Sequence, residues 1–215
     1  MLLGPLERPA LQWLCARMPA WVNSDGLTVV GVIGSLVTFF SYWLTNIDRN
    51  FLWLASLGFV INWFGDSLDG TLARYRKEER PKFGFFIDHT IDAISQVLVF
   101  TGLGLSPYVR LEIALLALIG YLLMSILAYV GAFVSGKFKI SYAKIGPTEM
   151  RLIAILANTL FYFVGNPIIK IALGSVSAFD LVILIIAVVL MVAFIVTTAS
   201  QAAHWREVDA RERDR

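Results

Sequence analysis

Cysteine is almost absent from this chain. Cys15 stands alone among 215 residues, which excludes an internal disulfide framework and a cysteine-rich zinc site. Histidine is nearly as scarce, and His89 and His204 lie far apart, so a histidine metal cluster is not expected. Net charge is only +2, too little for the broad field of a nucleic-acid binder, and no nucleic-acid partner is expected. Internal repeats and low-complexity linkers are missing, so a single domain over residues 1–215 is expected. A signal-peptide pattern is missing too: the first ten residues hold Pro5 and Pro9 and no basic start.

Apolar sequence is what the chain has in excess. Hydrophobic residues make up 58% of it, against about 45–50% in soluble domains. The mean hydropathy is +0.72. A spanning helix needs roughly 20 mostly apolar residues. Six segments qualify: 27–46, 51–72, 84–104, 111–134, 149–170 and 179–200. The expected fold class is therefore all-α, a polytopic membrane protein with six transmembrane helices over 27–200. Asn23, Ser24 and Asp25 supply N-cap chemistry for the first segment, and Ser177 precedes the sixth. Pro167 and the Gly174-Ser175 pair mark a short outer turn between the fifth and sixth.

The flanks read differently. Residues 1–24 mix Leu11, Trp13, Leu14 and Trp21 with Glu7, Arg8 and Arg17. That mixture predicts an amphipathic helix in the membrane interface, with tryptophans at headgroup depth; a loosely ordered tail is the alternative. Residues 201–215 form a charged tail continuing the sixth segment. Basic residues are segregated. Fifteen fall in the first flank, around the second–third and fourth–fifth connections, and in the tail; Arg49, Arg110 and Lys170 fall on the other side. The positive-inside rule makes the first side cytoplasmic, with both termini there, in a cell (inner) membrane.

Four aspartates interrupt the apolar pattern. A charge at membrane depth costs at least about 2.5 kcal/mol, so such residues are functional candidates. Asp66 and Asp69 are three apart and Asp88 and Asp92 four apart, so each pair shares a helix face. The pairs lie on successive antiparallel helices, near the same ends, where they can converge. Four carboxylates cannot stay ionised together without counter-charge. Oxygen-only ligands select hard cations, and paired cations suit phosphoryl chemistry by clamping phosphate oxygens. Gly65, Gly70 and Gly84 accompany the acids, with Ala73 keeping one face small and Arg74 able to reach a diphosphate. Taken singly, each glycine reads as a helix-packing contact.

The run Asp66-x-x-Asp69-Gly70-x-x-Ala73-Arg74, nine residues, then Gly84-x-x-x-Asp88-x-x-x-Asp92 resembles the signature of the CDP-alcohol phosphotransferase family. All eight signature residues are present; the spacer is one residue longer than usual. The resemblance covers residues 66–92, and six spans suit the family's fold. It implies that Asp66, Asp69, Asp88 and Asp92 hold Mg²⁺ or Mn²⁺, two ions in all, with Asp92 also the catalytic base. It implies that Asp66, Asp69, Gly70, Ala73, Arg74 and Gly84 line the site of a CDP-linked donor, facing the cytoplasm. The implied reaction is attack by an alcohol acceptor on the phosphorus distal to cytidine, releasing CMP. A homodimer in the lipid bilayer is implied as well.

Several residues near the signature carry two readings. The Asp88-His89 pair resembles the eukaryotic choline and ethanolamine phosphotransferase branch, while a local hydrogen bond is the plainer role for His89. The stretch 145–151 starts the fifth segment, so Glu149 reads as a capping residue, yet Glu149, Arg151 and Lys137 could also border the acceptor site. Lys137, Lys139 and Lys144 read as surface charges that hold anionic headgroups. Asp180 and Glu112 read as structural. For function, the leading expectation is a phospholipid-synthesising transferase that joins CDP-diacylglycerol to a polar alcohol such as inositol phosphate, glycerol 3-phosphate or serine. One alternative transfers a phosphocholine-type headgroup to a lipid hydroxyl. A second, of another class, is a small ion- or proton-coupled transporter, because intramembrane acids also mark ion paths.

Overall fold

The computed structural model describes residues 3–135, 146–171 and 174–213. Lys137, Lys139 and Lys144 lie outside the described residues. Seven helices account for most of the described chain: α1 (Gly4–Arg17), α2 (Ser24–Leu44), α3 (Phe51–Arg76), α4 (Pro81–Gly104), α5 (Leu111–Ser135), α6 (Pro147–Val164) and α7 (Ala178–Arg213). Five of them, α2, α3, α4, α5 and α7, are long and apolar enough to cross a membrane. Their outward sides carry large apolar groups such as Ile33, Phe40, Leu57, Ile119, Val188 and Ile195. Exposed apolar surface on this scale suits a lipid solvent rather than water. The protein is an integral membrane protein.

The fifth expected segment is shorter than its sequence suggested. Helix α6 has 18 residues and stops at Val164, not at 170. Gly165 takes φ +77°, and Pro167 follows with no N–H to donate, so the helix cannot continue. The chain then forms a hairpin, β1 (Ile168–Ile171) and β2 (Gly174–Ser177), antiparallel with Ile168 opposite Ser177. The short outer turn expected here is thus a two-stranded ribbon, the one departure from all-helical structure among the described residues. At the next helix, Ser177 Oγ accepts from Asp180 N at 2.9 Å. Asp180 also accepts from Arg110 N at 2.8 Å, which fits its structural reading.

Helices α2 and α3 form the tightest pair. A Cβ added to Gly34 would collide with the backbone of Asn62, and one added to Gly65 with the backbones of Gly31 and Leu27. The two backbones therefore touch, as small residues allow in membranes. Asn62 Nδ2 exploits the approach by donating to Gly31 O at 2.9 Å and Ser35 Oγ at 3.0 Å. Gly65 is thus a packing glycine.

Helix α1 is built into the bundle. Its Leu11 and Cys15 are buried against Leu27 of α2 and Leu68 and Leu72 of α3. Burial pushes the Cys15 thiol up from its ordinary range, with Arg76 and Arg74 pulling it partly back. The Arg76 guanidinium donates to Val22 O at 2.5 Å and Pro19 O at 2.9 Å, fastening the α1–α2 connection to the end of α3. Helix α3 closes on Lys77, in the left-handed region at φ 60°. Helix α4 starts at Pro81, three residues before the expected 84, because proline suits the first turn. The opposite end of the bundle has its own core, of Tyr42, Leu52, Phe59, Val109, Phe161 and Phe179 among others. The α7 helix continues to Arg213; its 36 residues make about 54 Å at 1.5 Å per residue. It therefore overruns a hydrocarbon core of about 30 Å, as the helical-extension reading of the tail requires.

Candidate active site

The signature residues occupy the last three turns of α3 and the first three turns of α4. Helix geometry puts Asp66 and Asp69 on one side of α3, and Asp88 and Asp92 on one side of α4. The fold turns those sides together. Asp66, Asp88 and Asp92 each offer a carboxylate oxygen within 4.8 Å of the other two. Asp69 stands beside this trio, lining the same small cleft as Asp66, Asp88, Thr28, Gly31 and Asn62. Its carboxylate accepts from Thr28 Oγ1 at 2.7 Å and from Gly70 N at 2.5 Å. Ser24 Oγ donates to the Asp69 carbonyl at 2.9 Å, so the start of α2 supports this turn of α3.

Three acids this close repel one another, and among the described residues Arg151 is the cation paired with them. Its Nη2 donates to Asp66 Oδ2 at 2.7 Å, and its Nε to Asn62 Oδ1 at 2.7 Å. Both side chains are largely buried, at 12% and 22% exposure, so solvent screens the pair weakly. Arg151 Nη1 is buried with no hydrogen-bond partner among the described residues. One positive charge cannot neutralise the whole acidic group. An all-oxygen donor set with surplus negative charge matches a hard divalent cation, so the cluster could hold one.

The residues expected to line a donor site lie on α3 and α4. The Arg74 guanidinium folds back over Gly70, and Arg74 Nη2 donates to Thr71 Oγ1 at 3.3 Å, an exposed and easily exchanged contact. Ala73 lies on the same stretch of α3. A methyl added at Gly84 would meet none of the described residues within 4 Å.

The acceptor-side candidates separate. Arg151 joins the aspartates. Glu149 does not: it is buried, and its carboxylate accepts from Gly146 N and Leu3 N, each at 2.9 Å. That is the capping role, which ties the start of α6 to the N-terminal segment. Lys137 lies outside the described residues. His89 keeps a local arrangement, with Nδ1 2.7 Å from Phe85 O and its ring stacked on Phe85 and edge-on to Tyr129. The Asp88 carboxylate is 4.0 Å away.

Sequence reasoning missed Asn62, Thr28 and Ser24. Asn62 was detectable, being a polar residue in an apolar segment one turn before Asp66. Thr28 and Ser24 carry no such signal, because hydroxyls are common at helix starts.

Residues 21–202 match the CDP-alcohol phosphatidyltransferase family. The chain belongs to this family, whose members are transferases. Over 104 residues it is 33% identical to an archaetidylinositol phosphate synthase of Pyrococcus horikoshii, covering 48% of this chain and 52% of the relative. Over 163 residues it is 27% identical to cholinephosphotransferase 1 of Danio rerio, covering 71% and 41%. Over 90 residues it is 35% identical to a phosphatidylinositol phosphate synthase of Cutibacterium acnes, covering 42% and 41%. The matched regions span about half or less of these relatives. Relatives in phospholipid synthesis favour the transferase reading over an ion path.

Proposed function

We propose that the protein transfers a substituted phosphate from a CDP-linked donor, CDP-diacylglycerol by preference, to the hydroxyl of a polar alcohol. The convergence of Asp66, Asp88 and Asp92 to within 4.8 Å carries this reading, since it builds one anionic pocket from two helices at one end of the bundle. Asp66, Asp69, Asp88 and Asp92 would hold Mg²⁺ or Mn²⁺. Bound there, such a cation offsets charge on the diphosphate and on the departing phosphate.

The chain's own residues do the rest. Arg74, exposed above Gly70, is free to leave Thr71 and take a diphosphate oxygen. Gly70, Ala73 and Gly84 leave room for the nucleotide. Asp92 accepts the proton of the attacking hydroxyl. The acceptor oxygen bonds to the phosphorus distal to cytidine, the bond to the CMP oxygen breaks, and CMP leaves. Arg151, beside Asp66, can hold an anionic acceptor. The excess of basic residues at this end supports a cytoplasmic site with both termini on that side. The chain acts as one domain over residues 1–215, with α1 in the interface and α6 as a short fifth span of six.

A second reading rests on the Asp88-His89 pair and on the Danio rerio relative: a phosphocholine-type group passed to a lipid hydroxyl. CMP release separates the two. The purified protein with Mg²⁺ or Mn²⁺ is offered CDP-diacylglycerol with polar alcohols and, separately, CDP-choline or CDP-ethanolamine with diacylglycerol. The expected result is CMP from the first mixture alone, lost with a chelator and regained on adding metal. CMP from the second mixture alone would move the enzyme to the other branch.

A further inference from the structure

Glu7 lies far from the signature in sequence, on a helix that contributes none of the acids. One of its carboxylate oxygens nevertheless joins α3, which carries Asp66 and Asp69, to α6, which carries Arg151. Glu7 Oε1 accepts from Trp63 Nε1 at 2.8 Å and from Ser67 Oγ at 3.2 Å, both on α3. The same oxygen accepts from Thr148 Oγ1 at 2.7 Å, in the first turn of α6. Ser67 stands between Asp66 and Asp69. Thr148 is three residues before Arg151, and so on the same side of α6. A second tie runs in parallel, from Leu3 N to Glu149 Oε1 at 2.9 Å.

We propose that Glu7 is a positioning residue: it sets the spacing of α3 and α6 at the site, and with it where the Arg151 guanidinium stands against Asp66 and Asn62. The chemistry suits a carboxylate. An ionised carboxylate only accepts, so it can gather an indole N–H and two hydroxyls from two helices without needing a donor in return. Hydrogen bonds to a charged acceptor are stronger than neutral ones, which matters for a strut of three side chains. Removing the acceptor leaves those donors unpaired at a partly buried position, a cost relieved by letting α6 move. Arg151 rides on α6, while Asp66 and Asp69 are held from the other side by α2 through Thr28, Ser24 and the glycine contacts. Loosening Glu7 therefore shifts Arg151 relative to the acids rather than the acids relative to one another.

The kinetic consequence rests on the proposed transfer reaction, whereas the structural one does not. The experiment uses the full chain in lipid nanodiscs, with Glu7→Ala, Glu7→Gln and Thr148→Val. Amide hydrogen exchange over residues 150–156 reads the docking of α6. In Glu7→Ala it is expected to rise about tenfold there, while the α2–α3 contact keeps its protection. Thr148→Val, close to isosteric, should move the same way by a smaller factor. Glu7→Gln keeps an acceptor oxygen and should restore most of the protection. With CMP release as the assay, the acceptor KM should rise about tenfold in Glu7→Ala with the donor KM unchanged, as for loss of one charge-assisted contact.

Wild-type exchange over 150–156 and wild-type acceptor KM in Glu7→Ala or in Thr148→Val would overturn the proposal. So would a uniform rise in exchange across all helices with equal changes in both KM values, since that is what a general stability role produces. If Glu7→Ala fails to fold, Thr148→Val decides by the same two readouts. If the wild type releases no CMP from any donor, the transfer reading fails, and the exchange measurement still decides the strut.

Discussion

At the scale of single residues, the four aspartates are not equivalent in their surroundings. Asp69 is supported by Thr28, Gly70 N and, through its carbonyl, Ser24; Asp92 sits in the close trio with Asp66 and Asp88. The roles proposed for them come from the family signature and not from this difference. Asp92→Asn should lower turnover by about 10²–10⁴, the usual weight of a general base, while donor binding stays near wild type. Asp69→Asn should weaken metal and donor binding together. Equilibrium binding of Mn²⁺ and of a CDP-linked donor, measured beside CMP release, checks both; equal loss of binding in the two variants would remove the division of roles. The glycines differ in the same physical way. Gly84 meets no neighbour among the described residues, and Gly34 faces a neighbouring backbone. Gly84→Ala should therefore leave the thermal midpoint unchanged and raise the donor KM.

At the scale of elements, the α2–α3 pair is the platform of the site. Its backbones touch through Gly31, Gly34, Gly58 and Gly65, and that closeness lets Thr28 and Asn62 reach across the helix pair. Gly34→Ala should cost about 1–3 kcal/mol, because the colliding atoms are backbone and cannot rotate away. A drop in thermal midpoint with loss of activity, beside an unshifted midpoint in Gly84→Ala, would mark the first glycine as packing and the second as a ligand-side glycine. Helix α4 is less enclosed than α3: Phe83, Phe85 and Phe86 in its first turns are exposed, and Arg80 at its start pairs with Asp25 of α2. An exposed ion pair of this kind adds little stability, so α4 is held mainly by its apolar contacts with α2 and α5.

At the scale of the whole molecule, the polar residues divide between two ends. One end carries the acids, Arg151, Glu7 and the Arg76 contacts. The other carries small structural bonds, such as Asn46 Nδ2 to Leu105 O at 2.8 Å and Asn166 Nδ2 to Tyr108 O at 2.8 Å. Between them, the buried chain from Tyr42 Oη through Asn158 to Ser56 satisfies polar groups inside the apolar layer. The outward apolar faces are available to lipid and to a second copy of the chain. Native mass spectrometry from lipid is expected to give the mass of a homodimer; a monomer there would remove that assembly from the account.

The sequence by itself determined the family, the membrane solvent and the four acids. Each is a local property: composition, unbroken apolar length, and residue identities at helical spacing that no fold can rearrange. It also offered Asn23, Ser24 and Asp25 as cap chemistry for α2, where Asn23 is the cap, and Ser177 for α7, because capping needs only neighbours in the chain. Tertiary structure alone decided what those acids meet. That Arg151 joins Asp66 while Glu149, two residues earlier, turns to a helix start depends on how α6 is rotated against α3. That Glu7 touches Ser67 and Thr148 depends on where α1 docks. Such contacts join residues dozens of positions apart, and they follow from which helix faces pack together, which no single segment's pattern contains.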